Sequence, residues 1–134
     1  MIEHTEDVVC AACSLFGESE PTRLATAWLR FFKLLGGCYR QFRHDLVAAA
    51  WLHDLGKAND GFRAAVQNRG EQNIRHEHLS ALLMDFGPVS TWLRTSPVPV
   101  DWDVVLAAVA THHLKAPVEE FGKQRGKKLP SMER

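Results

Sequence analysis

The stretch that most constrains how this chain can fold is Asp45-Leu46-Val47-Ala48-Ala49-Ala50-Trp51-Leu52-His53-Asp54-Leu55-Gly56-Lys57. Good helix formers fill its first part and Gly56 offers a stop, so the pattern predicts a helix from about Tyr39 to Leu55 with His53 and Asp54 in its last turn. The carbonyl end of a helix carries partial negative charge, which complements a metal ion and also Lys57 just beyond. Burial of Leu46, Val47, Ala50 and Trp51 makes this the central helix.

The rest of the chain reads as helices around it. Thr5 is a candidate N-cap for a helix through Val8, Val9, Ala12, Leu15 and Phe16, with Gly17 as its terminator and His4 just before it. Pro21-Thr22 opens a second helix that carries Leu24, Trp28, Leu29, Phe31 and Phe32 and ends at Gly36-Gly37. Asn59-Asp60-Gly61 caps a short helix from Phe62 to Gln67, stopped by Gly70. Asn73 caps a helix from Ile74 to Phe86 whose inward face is Leu79, Leu82, Leu83 and Phe86, closed by Gly87-Pro88. A brief helix spans Val89 to Arg94, and Pro97 and Pro99 exclude regular structure after it. Asp101 or Asp103 starts a last helix that ends at His112-His113. No segment has a strand's period of two, so the fold class is all-α.

At 134 residues the chain has room for one core. With 46% apolar and 24% charged residues it has a globular composition. Its apolar runs are too short to cross a bilayer and its N-terminus lacks a signal peptide's pattern, so the expected address is the cytoplasm, with no membrane partner. Three cysteines imply reduced thiols; Cys10 and Cys13 form CxxC but read as small core residues rather than a redox or zinc pair. The net charge is zero, yet residues 21–75 hold nine basic and four acidic residues and residues 114–134 six and three. A nucleic-acid path could use both regions, including Lys57 and Lys115.

Histidine recurs at predicted element ends: His4, His53, His76 or His78, and His112-His113. Imidazole with carboxylate suits divalent Mn, Fe, Co, Ni or Zn better than Mg. Neighbours on a helix diverge by about 100°. His53 and Asp54 can therefore share a centre only at a helix end, or if the Asp bridges two ions. No GxSxG, GxxxxGK or GxGxxG is present, which speaks against serine hydrolases, nucleotide-loop motors and dinucleotide binders.

The ordered set H…HDxGK…RHExxS…HH, from His4 to His113, resembles the HD metal-dependent phosphohydrolase superfamily, and within it the HD nuclease domain of the type I CRISPR-associated helicase-nuclease. The resemblance implies two ions, one held by His4, His53 and Asp54 and the other by Asp54, His76, His112 and His113, with Asp54 as the bridge. His76 fits better than His78 because it follows Arg75. The resemblance further implies a catalytic role for Lys57 on the scissile phosphate, and a Ser80 that either orients a ligand or packs. It implies hydrolysis of single-stranded DNA in CRISPR interference, with a helicase module in cis or in trans and an RNA-guided surveillance complex as partners. The alternatives are a phosphohydrolase acting on nucleotides and a metal-binding docking module without catalysis. One feature departs from the family's pattern: a further Asp downstream of the histidine pair has no counterpart, and Asp45, Asp60, Asp85, Asp101 and Asp103 stand in other contexts. The expected organisation is therefore residues 1–113 as the N-terminal portion of an HD domain and 114–134 as a basic loop or tail leading to further helices.

Overall fold

A computed structural model describes residues 2–34, 36–69, 74–95 and 97–113. Among these the chain is all-α, with helices α1 (Ile2–Phe16), α2 (Arg23–Phe31), α3 (Tyr39–Leu52), α4 (Asp60–Val66), α5 (His76–Asp85), α6 (Gly87–Arg94) and α7 (Trp102–Thr111). Short 3-10 turns at Gly36–Cys38 and Leu55–Lys57 flank α3. The expected caps at Gly70 and Asn73, Lys115 and the whole of 114–134 lie outside the described residues.

Helix α3 is central because it offers small side chains on one face and aromatic ones at its start. Ala48, Ala49 and Leu52 pack on a core of Met84, Leu93, Val105 and Val109, drawn from α5, α6 and α7. Tyr39 closes a second cluster with Ala25 and Leu29 of α2, against which Phe16 and Phe42 pack. Val105 and Val109 are essentially inaccessible. Burying a valine side chain contributes roughly 1.5–3 kcal/mol, so these two fix α7, and with it the histidine pair at its end, against α3 and α5.

The helix ends are closed by side chains the sequence makes available. At Gly17 the backbone turns left-handed, φ +99°, and a Cβ there would lie 2.0 Å from the Glu20 carbonyl oxygen, so only glycine fits. The last carbonyls of α1 accept hydrogen bonds from Thr22 Oγ1 (to Leu15, 2.5 Å) and Tyr39 Oη (to Phe16, 3.0 Å). Thr22 also caps α2 by accepting from the Ala25 N–H. Asn59 and Asp101 cap α4 and α7 in the same way. Buried Asp45 accepts from Gln41 and from the Asp101 N–H at 2.8 Å, tying the start of α7 to α3.

Several sequence expectations are corrected. Helix α1 begins at Ile2, before Thr5, so Thr5 is buried inside it and His4 lies in its first turn. Helix α2 stops at Phe31, where Lys33 takes the left-handed conformation (φ 55°) before any glycine is reached. Helix α3 ends at Leu52, and Trp51 is 49% exposed because α3 turns Ala48, Ala49 and Leu52 to the core. The inward face of α5 is Glu77, Ser80 and Met84, while Leu82 and Phe86 point to solvent. Packing against α7 and the Leu55–Lys57 turn selects that face over the more apolar one. Gly87-Pro88 closes α5 by opening α6, with proline in its first turn. Cys10 is exposed and not a core residue; Cys13 is half-buried, and both are free thiols.

Candidate metal centre

Asp54 sits where α3 has just ended, with φ −103° and ψ 10°, outside helical geometry. That departure separates its direction from that of His53, the residue capping α3, and lets both face one centre. The turn that follows is held by Ser80 of α5: its buried Oγ accepts from the Gly56 N–H at 2.7 Å and donates to the His53 carbonyl at 2.9 Å. Ser80 is thus a staple between elements. Gly56 is required for a different reason than helix termination. A Cβ there would lie 2.1 Å from the His76 carbonyl oxygen and 2.7 Å from the Ser80 nitrogen, so glycine permits α5 to approach.

Around Asp54, 2% exposed, the two carboxylate oxygens face different histidines. Oδ2 lies 3.2 Å from His53 Nε2 and 3.4 Å from His4 Nε2. Oδ1 lies 3.4 Å from His76 Nε2 and 3.9 Å from His112 Nε2. The nitrogens and oxygens of Asp54, His76, His112 and His113 fall within 4.8 Å of one another, and so do those of His4, His53 and Asp54. The structure therefore brings together His4, His53, Asp54, His76, His112 and His113. His78 is exposed and belongs to neither group. Asp45, Asp60, Asp85, Asp101 and Asp103 belong to neither group as well.

The rings are oriented by orphan carbonyls at helix ends. His53 Nδ1 is 2.7 Å from the Ala50 carbonyl and His112 Nδ1 is 2.7 Å from the Val109 carbonyl. A carbonyl can only accept, so each Nδ1 carries a proton and each Nε2 is the ring nitrogen left to face Asp54. His76 Nδ1 faces Glu77 Oε2 at 3.4 Å. Among the described residues the buried Asp54 Oδ1, His76 Nε2 and His112 Nε2 have no hydrogen-bond partner. Buried nitrogens and an oxygen that converge on a shared space without a hydrogen-bond partner are what a divalent cation satisfies, so this donor set fits a metal ion.

Local charges and burial shift several of these groups. Burial pushes the Asp54 carboxyl up, but the Lys57 hydrogen bond at 2.6 Å and the nearby His53 and His76 outweigh it, so its pKa falls below the usual value. Burial lowers His76 and His113, with Lys57 and His112 respectively adding to the effect, so both rings favour the neutral, ligating form. For Glu77 burial also acts upward, yet its own backbone N–H and Arg75 hold it below the ordinary carboxyl range.

Two participants escaped the sequence reading. Glu77, 2% exposed, pairs with Arg75 and braces the His76 ring, while Arg75 also donates to the His113 carbonyl at 3.1 Å. Its signal was its place in RHExxS, three residues before Ser80 on one helix face. Phe62 meets His76 edge to face with centroids 5.6 Å apart. Nothing in the motif marks it.

An all-helical domain with a His-Asp pair at a helix end, surrounded by histidines from three other helices' ends, has the architecture of the HD class. Within that class the chain belongs to the family described as Cas3, HD domain, which it matches over residues 1–133. It is 38% identical over 84 residues to a putative CRISPR-associated nuclease/helicase Cas3 of Myxococcus xanthus (strain DK1622), an alignment covering 60% of this chain and 11% of that protein. The chain thus spans about a tenth of the length of that relative. No solved structure matches it.

Proposed function

We propose that this domain is the metal-dependent nuclease of a CRISPR interference system and hydrolyses phosphodiesters of single-stranded DNA. The observation that carries the reading is the division of one buried carboxylate between two histidine groups, with His53 and His4 on Oδ2 and His76 and His112 on Oδ1. His4, His53 and Asp54 would hold one ion, and Asp54, His76, His112 and His113 the other. Divalent transition-metal ions bound there supply Lewis acidity and a water nucleophile at neutral pH. The chain's own residues do the positioning. The Ala50 and Val109 carbonyls fix two rings, Glu77 braces a third, and Ser80 fixes the turn that carries Asp54. Lys57 Nζ stands at the mouth of the site and offers its charge to the scissile phosphate.

Membership in the Cas3 HD family and the naming of a relative as nuclease/helicase support a CRISPR setting, with a helicase module and an RNA-guided surveillance complex delivering the strand. In that setting the work would lie in the cytoplasm. Among the described residues no helix is long and apolar enough to cross a membrane. The test combines metal analysis with cleavage of a labelled single strand, titrating Mn²⁺, Co²⁺, Ni²⁺ and Zn²⁺. Fragments that appear with bound metal and vanish with chelator support the reading. Hydrolysis of mononucleotides without strand cleavage points instead to a nucleotide phosphohydrolase, and metal uptake without any hydrolysis to a docking module.

A further inference from the structure

Beside the metal centre, an open cleft of about 610 Å³ is lined by His4, Asp54, Lys57, Phe62, Arg63 and Val66, with Ala58 and Gln67 at its margin. Its size lies within the roughly 300–1,000 Å³ typical of sites for small organic groups. The floor is apolar: Phe62 and Val66 are one turn apart on α4, and Val66 is 66% exposed. Lys57 and Arg63 also line the cleft. Lys57 Nζ lies over the Phe62 ring, 5.8 Å from its centroid. Among the described residues Arg63 pairs only with the exposed Asp60, at 3.7 Å, a solvent-screened pair too weak to hold the guanidinium from another anion.

We propose that this cleft is a nucleobase subsite, in which Phe62 and Val66 receive the base next to the scissile phosphate and Arg63 takes the neighbouring phosphate. The inference rests on the nuclease reading of the Asp54 centre and adds where the strand lies. A single strand alternates an apolar, flat base with an anionic link, and the cleft combines an aromatic and aliphatic wall with two cations. Aromatic rings hold unpaired bases through stacking, whereas the bases of a duplex are already stacked and cannot present a face. The Gln67 amide at the margin can pair with a base edge. Phe62 touches His76, so an occupied base and the metal centre share one wall.

The test uses the natural full-length protein and single-stranded oligonucleotides carrying one abasic site, moved position by position past the cut. An abasic site at one position beside the cut raises KM about tenfold, and elsewhere changes little. Phe62→Ala and the exposed-site variant Val66→Glu each raise KM about tenfold on the intact strand and remove the sensitivity to that abasic site, while Phe62→Tyr restores it. In a second arm, strands bearing 5-iodouracil are irradiated in chelator, and the crosslink maps to the peptide from Ala58 to Arg63. A flat abasic scan with normal cleavage overturns the subsite and leaves the nuclease reading intact. If no strand is cut with any metal, the nuclease reading falls. The crosslink then decides the subsite alone: its appearance at Phe62 supports it, and its absence overturns it.

Discussion

Asp54 serves both histidine groups through separate oxygens, so removing it differs in kind from removing one histidine. Asp54→Ala is expected to lose metal at both groups and to bring cleavage to the chelator background, whereas His4→Ala depletes one group; elemental analysis of the purified variants distinguishes them. Retained cleavage by Asp54→Ala at the same metal concentration would remove the bridging assignment. Glu77 acts one step back, on the His76 ring. Glu77→Gln keeps the shape but not the charge, and metal affinity should fall about 10–100-fold. It also bears on acid stability. The folded chain holds the Glu77 carboxyl below its ordinary value, so the unfolded chain binds that proton more readily. Its stabilisation is therefore complete above the unfolded value of about 4.3 and is lost as pH falls through the lower folded value. Urea melts of Glu77→Gln should show a stability deficit at pH 7 that shrinks toward pH 3. A deficit unchanged across that range would show that the charge is not the cause.

At the scale of elements, the junction between α5 and the Leu55–Lys57 turn carries the site. Ser80→Ala leaves the buried Gly56 N–H without its partner, at a cost of roughly 1–3 kcal/mol, and frees the part-buried His53 carbonyl as well. Gly56→Ala forces α5 outward, because the added Cβ meets backbone atoms that cannot rotate away. Overpacking of this kind costs about 1–3 kcal/mol or more. Both variants should lower the melting temperature and weaken metal binding together, since the displaced element carries His76. Gly56→Ala with wild-type metal affinity would show that α5 and the turn are not coupled in this way. By contrast His112→Ala and His113→Ala, just beyond the last turn of α7, should spare the helical fold and impair metal retention; a circular dichroism melt showing unfolding at room temperature would make them core residues instead.

Taken whole, the molecule shows two surfaces that the site does not use. Trp28, Phe31 and Phe32 form an aromatic ridge on α2, with Phe31 79% exposed and its ring 5.0 Å from that of Phe32. Trp92 of α6 is 70% exposed. Exposed apolar area of this sort promotes association. Residues 1–134 expressed alone should self-associate at micromolar concentration, and Phe31→Glu with Trp92→Glu should restore a monomer without loss of helix, as read by analytical ultracentrifugation. A net charge of zero argues for a second property: affinity of the domain for single-stranded DNA should be weak and fall with salt, since it rests on few phosphate contacts. Tight binding insensitive to salt across 50–200 mM, the range over which phosphate contacts lose strength, would contradict this.

The sequence by itself determined what is local. The helical period, the helix starts at Thr22 and Asn59, the stop at Gly17, and the positions of His53 and Asp54 at the end of α3 all depend on residues within a few positions of one another. The order of histidines named the set from His4 to His113, because spacing along the chain survives folding. Only the tertiary structure decided how that set is divided. Which oxygen of Asp54 faces which ring depends on the placement of α1, α5 and α7 about α3, and that is fixed by buried valines, the Asp45 tie and the Ser80 staple. That His76 and not His78 faces Asp54 follows from α5 turning Glu77, Ser80 and Met84 inward, against its own apolar stripe. Periodicity favoured Leu82 and Phe86 because it weighs hydrophobicity alone, while the fold also answers to a buried carboxylate paired with Arg75 and a hydroxyl that closes two backbone groups. Gly56 is the same case in one residue: the sequence read it as the end of a helix, and the space it leaves belongs to a backbone twenty residues further on.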